Sequence, residues 1–151
     1  MTHGAVIRPG QGRTFPYAGQ PMRVIADPAG AFDGFAVVEM TVPPRFAGPV
    51  PHVHHGFDEG LYVLSGELLL TYGDGPAEPA PAGSFCVAPR GLRHTFSNPH
   101  DTPATVLGVW SPGPAGLAFM EDVGTAVPPG GAPDPEKVAE IYHRHNSVLL
   151  P

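Results

Sequence analysis

The 151-residue chain holds a single cysteine, Cys86, so no disulfide can close within it and a thiolate-rich metal site is excluded. Basic residues are also scarce. Against 14 aspartates and glutamates stand 8 lysines and arginines, which leaves a formal charge of -6 and no basic patch to track phosphates. Nucleic acid is therefore not an expected partner. No run approaches the roughly 20 apolar residues that span a bilayer, and the N-terminal MTHGAVIRPGQG lacks the apolar stretch of a signal peptide. Membrane insertion is not expected, and the predicted location is cytoplasmic.

Glycine and proline are plentiful, at 20 and 21 residues. Composition of that kind on its own suggests disorder. Here the two residue types fall between short β-branched and aromatic runs such as FAVVEMTV, LYVLSGELLL and ATVLGVW, where they act as turn punctuation. With 42% hydrophobic residues the chain has enough apolar surface to offset its ordering entropy, and its length suits one domain over 1–151.

Alternation over 35–42 puts Val38, Met40 and Val42 on one face and Glu39 and Thr41 on the other, the pattern of a half-buried strand. Further strands are predicted at 51–55, 59–65, 67–73, 84–88, 93–98 and 104–110, with edge strands at 5–8 and 22–26. Short, evenly spaced strands separated by turn signals indicate an all-β sandwich or closed barrel, with its core over about 22–111. The tail, 112–151, differs. GLAFMEDV at 116–123 suits a turn or two of helix, and Phe119 and Met120 in it would either cover the barrel mouth or pack outside. Asp134, Pro135 and Glu136 then supply an N-cap, a proline at the first helical position and an early acid, so 135–145 is predicted as an amphipathic helix with Val138, Ile141 and Tyr142 on one face.

Within this frame four residues carry chemistry. His52 and His54 are two apart on a strand, so both imidazoles leave the same face of the sheet. Glu59 follows across Gly56, a residue that permits a turn or bulge re-aiming the carboxylate. His94 begins a later strand, three residues after Gly91. Three imidazoles and one carboxylate suit iron, manganese, cobalt, nickel, copper or zinc, with coordination positions left open. Glu59 is the one ligand of the set able to move a proton. The other histidines read differently: His55 should face away from His54, His100 lies in a turn, His143 and His145 do not face each other, and His3 sits at the terminus. Cys86 reads as a small buried hydrophobe, and Tyr62 and Trp110 as packing residues.

The spacings His52-x-His54-x4-Glu59-x6-Gly66 and Gly83-x5-Pro89-x-Gly91-x2-His94-x3-Asn98 resemble the two motifs of the cupin superfamily. One departure is that the glycine expected five residues before the first histidine is missing, with Gly48 nearer. The resemblance implies a small antiparallel double-stranded β-helix, or jelly-roll, barrel with a C-terminal helix, holding one divalent metal per chain inside through His52, His54, Glu59 and His94. The overall layout is similar to the short single-barrel cupins of the quercetin 2,3-dioxygenase type. That likeness implies a dioxygenase acting on a small oxygen-chelating substrate such as a flavonol, polyphenol or diketone, with Glu59 as both ligand and base and dioxygen as co-substrate. A non-catalytic metal or ligand binder, and a metal-dependent isomerase or cyclase, remain open beside it. Exposed sheet edges and the terminal helix predict a homodimer.

Overall fold

The computed structural model describes residues 4–29, 32–130 and 132–151. Its strands are β1 (Thr14–Tyr17), β2 (Gln20–Ala26), β3 (Ala36–Val42), β4 (His52–His54), β5 (Asp58–Ser65), β6 (Glu67–Tyr72), β7 (Glu78–Pro81), β8 (Phe85–Ala88), β9 (His94–Ser97), β10 (Ala104–Ser111) and β11 (Ser147–Leu149), with helices α1 (Gly113–Ala126) and α2 (Pro135–Arg144). They form two antiparallel sheets, ordered β1-β2-β3-β10-β5-β8 and β11-β4-β9-β6-β7. This is the all-β barrel of the cupin type, with a helical C-terminal region.

The barrel follows from the alternation. Along β3 and β10 every second side chain is buried, and the pair runs in unbroken register from Ala104 opposite Val42 to Trp110 opposite Ala36. Their inward residues, Val38, Met40, Val42, Val106 and Trp110, meet Leu61, Val63, Leu68 and Leu70 from β5 and β6 in one apolar core. A two-residue turn of Ala18 and Gly19, both at positive φ, closes the β1–β2 hairpin; such turns match the natural twist of paired strands.

The predicted strand at 5–8 is absent. Val6 is 75% exposed, and the chain begins to pair only at Thr14, because nothing apolar covers the earlier run. Three strands were not expected from sequence: β1 at the edge of the first sheet, and β7 and β11 at the two edges of the second. Each is only three or four residues long, β1 and β7 also contain proline, and each exists because a neighbouring strand offers it a ladder of hydrogen bonds. The segment at 116–123 lies within a longer helix of 14 residues. Gly113, Gly116 and Gly124 weaken its sequence signal, since glycine disfavours a helix by about 1 kcal/mol relative to alanine. In the fold these glycines let the helix lie close to the barrel: a methyl at Gly116 would overlap Trp110 and one at Gly124 would overlap the Pro16 carbonyl. The expected start of the second helix is observed, with Asp134 Oδ1 accepting from the backbone N–H of Glu136 and Lys137.

Candidate metal centre

His52, His54 and His94 come from one sheet, and Glu59 comes from the other. On β4 the two imidazoles point inward from alternate positions, and β4 meets β9 so that His52 lies directly opposite His94. The ligating nitrogens of the three histidines lie within 4.8 Å of one another, and all three side chains are buried. Across the barrel, Glu59 Oε1 is 3.6 Å from His94 Nε2, and Oε2 is 3.8 Å from His54 Nε2. The four residues singled out in the sequence thus converge on one point. His3 lies outside the described residues, while His55 and His100 are exposed, the latter paired with Glu67.

Each ring is oriented through its other nitrogen. The Nδ1–H of His52 donates to the Val50 carbonyl at 2.8 Å, and that of His94 to Leu92 at 2.9 Å. His54 Nδ1–H donates to Ser147 Oγ at 2.7 Å; the serine hydroxyl is itself committed as a donor to the His145 carbonyl. With Nδ1 carrying the proton, every Nε2 presents a lone pair to the centre, the arrangement that outer hydrogen bonds impose on metal-binding histidines. His54 Nε2 and His94 Nε2 are fully buried and have no hydrogen-bond partner among the described residues. Buried polar atoms are rarely left so.

The charges tell the same story. Burial, reinforced by the neighbouring His94, pushes the His52 pKa down to about 4, and burial takes His54 to about 3, so both are neutral at ordinary pH. Burial also lowers the basicity of His94, but the nearby Glu59 carboxylate outweighs it and raises the pKa. At 3.6 Å this contact is too long for a hydrogen bond and acts as charge attraction. Glu59 would be raised by burial; the surrounding imidazoles, His94 foremost, hold it instead at about 2. The site therefore contains a buried carboxylate with no lysine or arginine paired to it among the described residues. A divalent cation fits this donor set, because it satisfies both orphaned nitrogens and the anion together.

Several site residues had no sequence signal. Trp110, expected to pack or to line the barrel mouth, lies directly across from Glu59 on the paired strands, and its Nε1–H donates to Oε2 at 2.9 Å. Ser147 reaches His54 because β11 pairs with β4. Phe57 and Phe119 flank the His54 ring, with centroids at 4.3 and 4.8 Å, and Tyr142 stands edge-on to His52 at 5.2 Å. Phe119 and Met120 thus close over the centre as part of α1. Asp58, beside Glu59, accepts from the Arg90 backbone and pairs with its side chain, which lowers the Asp58 pKa and ties the start of β5 to the turn before His94.

The motif glycines divide by role. Gly48, φ 86°, lies so close to the Phe96 carbonyl that no side chain fits, so it serves the approach to β4 despite its displaced position. Gly56 has no positive φ, and a methyl there would meet only ordinary contact at 3.7 Å, so the turn before Glu59 does not depend on glycine as expected. Asn98 is structural: its Nδ2 donates to the carbonyls of Pro43 and Thr102.

Fold and site define a cupin barrel with a centre competent to bind a metal. Residues 38–110, which include all four central residues, match the family profile of the cupin domain. No protein with a curated description matches the chain. Among solved structures, the polyketide cyclase RemF from Streptomyces resistomycificus is 24% identical, with 72% of this chain and 80% of that one covered and a TM-score of 0.60. A sugar phosphate isomerase of the cupin superfamily from Silicibacter pomeroyi is 24% identical over 71% and 75%, with a TM-score of 0.57. The DMSP lyase DddQ from Ruegeria pomeroyi is 22% identical over 60% and 45%, with a TM-score of 0.51. Three reaction classes on one barrel mean that the shared fold does not carry the reaction.

Proposed function

We propose that this protein is a metal-dependent enzyme that binds a small organic substrate through neighbouring oxygen atoms and oxidises it with dioxygen. The observation that supports this reading most is the pair of buried, unpartnered nitrogens, His54 Nε2 and His94 Nε2, facing an ionised Glu59. His52, His54, His94 and Glu59 would hold one divalent transition metal per chain. When bound, such an ion supplies Lewis acidity and open positions for substrate oxygens and dioxygen.

The chain's own residues perform the rest. Trp110 occupies Oε2 of Glu59 with its N–H and so fixes the plane of the carboxylate. Oε1 is left to take the proton of a substrate hydroxyl, turning the hydroxyl into an electron-rich oxyanion and Glu59 into a neutral acid. Phe57, Phe119 and Tyr142 exclude bulk water from the ring of histidines. Dioxygen is the oxidant and both its atoms enter the product, so no external reductant is required.

A proton-transfer isomerase or cyclase is the second reading. It draws on the same Glu59, which can shuttle a proton without any oxidant. Oxygen uptake separates the readings. Metal-loaded protein screened against flavonols, polyphenols and diketones should consume dioxygen in proportion to product, and His94→Ala should lose both metal and uptake. Turnover without oxygen consumption would favour the isomerase or cyclase, and saturable binding without turnover would leave a binding protein.

A further inference from the structure

The three histidines of the centre are not held alike. His52 and His94 each donate Nδ1–H to a carbonyl two residues earlier on their own segment, Val50 and Leu92. A carbonyl can only accept, so either partner fixes the tautomer of its ring without help. His54 is oriented from far away: its Nδ1 meets the hydroxyl of Ser147, 93 residues further along the chain. A hydroxyl can donate or accept, so this contact by itself leaves the place of the proton open.

The sheet supports His54 just as unevenly. β4 meets β9 through the one ladder pair His52–His94, and its other neighbour is β11, where Ser147 lies opposite His54, Val148 opposite Val53 and Leu149 opposite His52. The His54 carbonyl also accepts from the Gly91 N–H at 2.8 Å, which holds its backbone and leaves its ring to Ser147. Strand β11 has only three residues, yet it is pinned at both ends. Past its end, Leu150 donates its N–H to the Pro51 carbonyl at 2.7 Å, and the Leu150 carbonyl accepts from the Arg93 guanidinium at 3.2 Å. Before its start, Asn146, at φ 53°, turns the chain out of α2, and its carbonyl accepts from the His55 N–H at 3.0 Å.

His145, one residue earlier, settles the direction of the serine. Its carbonyl accepts from the Ser147 hydroxyl at 3.3 Å, which commits the only hydrogen of that group and leaves Oγ as an acceptor for His54. The His145 ring is tied in turn to α1: its Nε2 lies 2.7 Å from Oδ2 of Asp122, a carboxylate that Arg144 also reaches.

We propose that the C-terminal segment 145–150 is a clasp on one metal ligand. Ser147 is a positioning residue that holds the His54 lone pair toward the centre, and the Asp122–His145 pair is the latch that keeps the Ser147 hydroxyl turned to accept. The proposal rests on the metal-binding reading of the four central residues and adds how one of them is controlled. Helix α1 then reaches His54 by two routes, directly through the Phe119 ring and indirectly through Asp122. Outer partners of this kind set ring orientation and affinity in metal-binding histidines.

Cobalt(II) titration of the full chain, followed by visible absorption, tests the clasp. Ser147→Ala should bind cobalt ~10–100-fold more weakly, the usual loss when an outer partner is removed, with an altered cobalt spectrum. Ser147→Thr keeps the hydroxyl and should recover most of the affinity. Asp122→Ala should also weaken cobalt, and the double variant should lose no more than Ser147→Ala alone, because successive steps of one chain do not add. Wild-type affinity in Ser147→Ala would overturn the clasp, and additive losses would overturn the latch. If Ser147→Ala does not fold, Asp122→Ala, at a half-exposed residue, carries the test, and unchanged affinity in it overturns the proposal. Wild-type protein that takes up no cobalt would defeat the metal-binding reading by itself. The clasp is then decided in metal-free protein by nitrogen-15 NMR of the imidazoles, which should show His54 as the Nδ1–H form in wild type and a share of the Nε2–H form in Ser147→Ala. The same form in both would overturn the role of the serine.

Discussion

Glu59 concentrates the chemistry of the centre in one side chain. Its charge, its hydrogen bond from Trp110 and its position opposite three imidazoles suit it to the two roles proposed for it, ligand to a cation and acceptor for a proton. Glu59→Gln preserves shape and an oxygen donor while removing charge and basicity. Turnover per bound metal should fall by roughly 10²–10⁴-fold, the usual contribution of a general base. Equal rates per metal in the two forms would reduce Glu59 to a ligand. The histidines make a separate prediction about acid. An unfolded histidine takes up a proton near pH 6.5, whereas His52 and His54 in the folded, metal-free protein resist protonation until about 4 and 3. Below pH 6.5 the unfolded state therefore binds more protons than the native one, and stability present above that pH is lost as pH falls toward those values. His94, with its raised pKa, works in the opposite direction but is one group against two. The melting temperature of metal-free protein should accordingly drop between about pH 7 and pH 4.5, with a steeper fall for metal-loaded protein, because protons compete for the same nitrogens. A flat or rising profile on acidification would contradict the buried, neutral state of His52 and His54.

At the scale of elements, α1 is held by close approach. It lies against β10 with Gly116 set over Trp110, and its Phe119 reaches His54 and Phe57. Helix propensity alone would favour alanine at Gly116, whereas the contact forbids it. Gly116→Ala should destabilise the protein by about 1–3 kcal/mol, the usual cost of overpacking, rather than stabilise it as in an isolated helix. It should also disturb Trp110, and through it the carboxylate of Glu59, so metal affinity should fall together with the denaturant midpoint. A midpoint that rises in Gly116→Ala would show that α1 can move away from the barrel freely. The second helix contributes differently. Its apolar stripe was expected to lie against the barrel or a partner subunit, and with Ile141 and Tyr142 buried inside the chain it is largely used within the protomer.

For the whole molecule, that leaves the sheet surface as the basis for self-association. Tyr62, Leu64, Phe85 and Val87 stand exposed on the outer side of β5 and β8, and β8 is the last strand of its sheet. An open edge beside an apolar face is a liability that pairing with a second copy removes. A homodimer through β8 is the expected state, to be checked by light scattering at micromolar concentration. Val87→Lys should shift it to monomer without altering metal content; a wild-type protein that is monomeric throughout would end the idea. No helix among the described residues is long and apolar enough to cross a membrane.

What was legible in sequence was what local spacing dictates. Alternation determined the strands around Val38, Met40 and Val42, the i, i+2 spacing put His52 and His54 on one face, and Asp134 with Pro135 marked a helix start, because each is a relation among near neighbours along the chain. The convergence of Glu59 and His94 on the two histidines was legible only through the motif resemblance. Register between distant strands lies beyond local spacing. Trp110 became a partner of Glu59 because β10 pairs with β5 in one register and not its neighbour, and a slip of one residue would have turned it to the opposite face. Ser147 reached His54 through a strand too short to recognise alone, and the glycines of α1 acquired their purpose only from the surface they touch. Tertiary structure decided these features because each depends on the contact free energy of segments far apart in the chain, which no local pattern encodes.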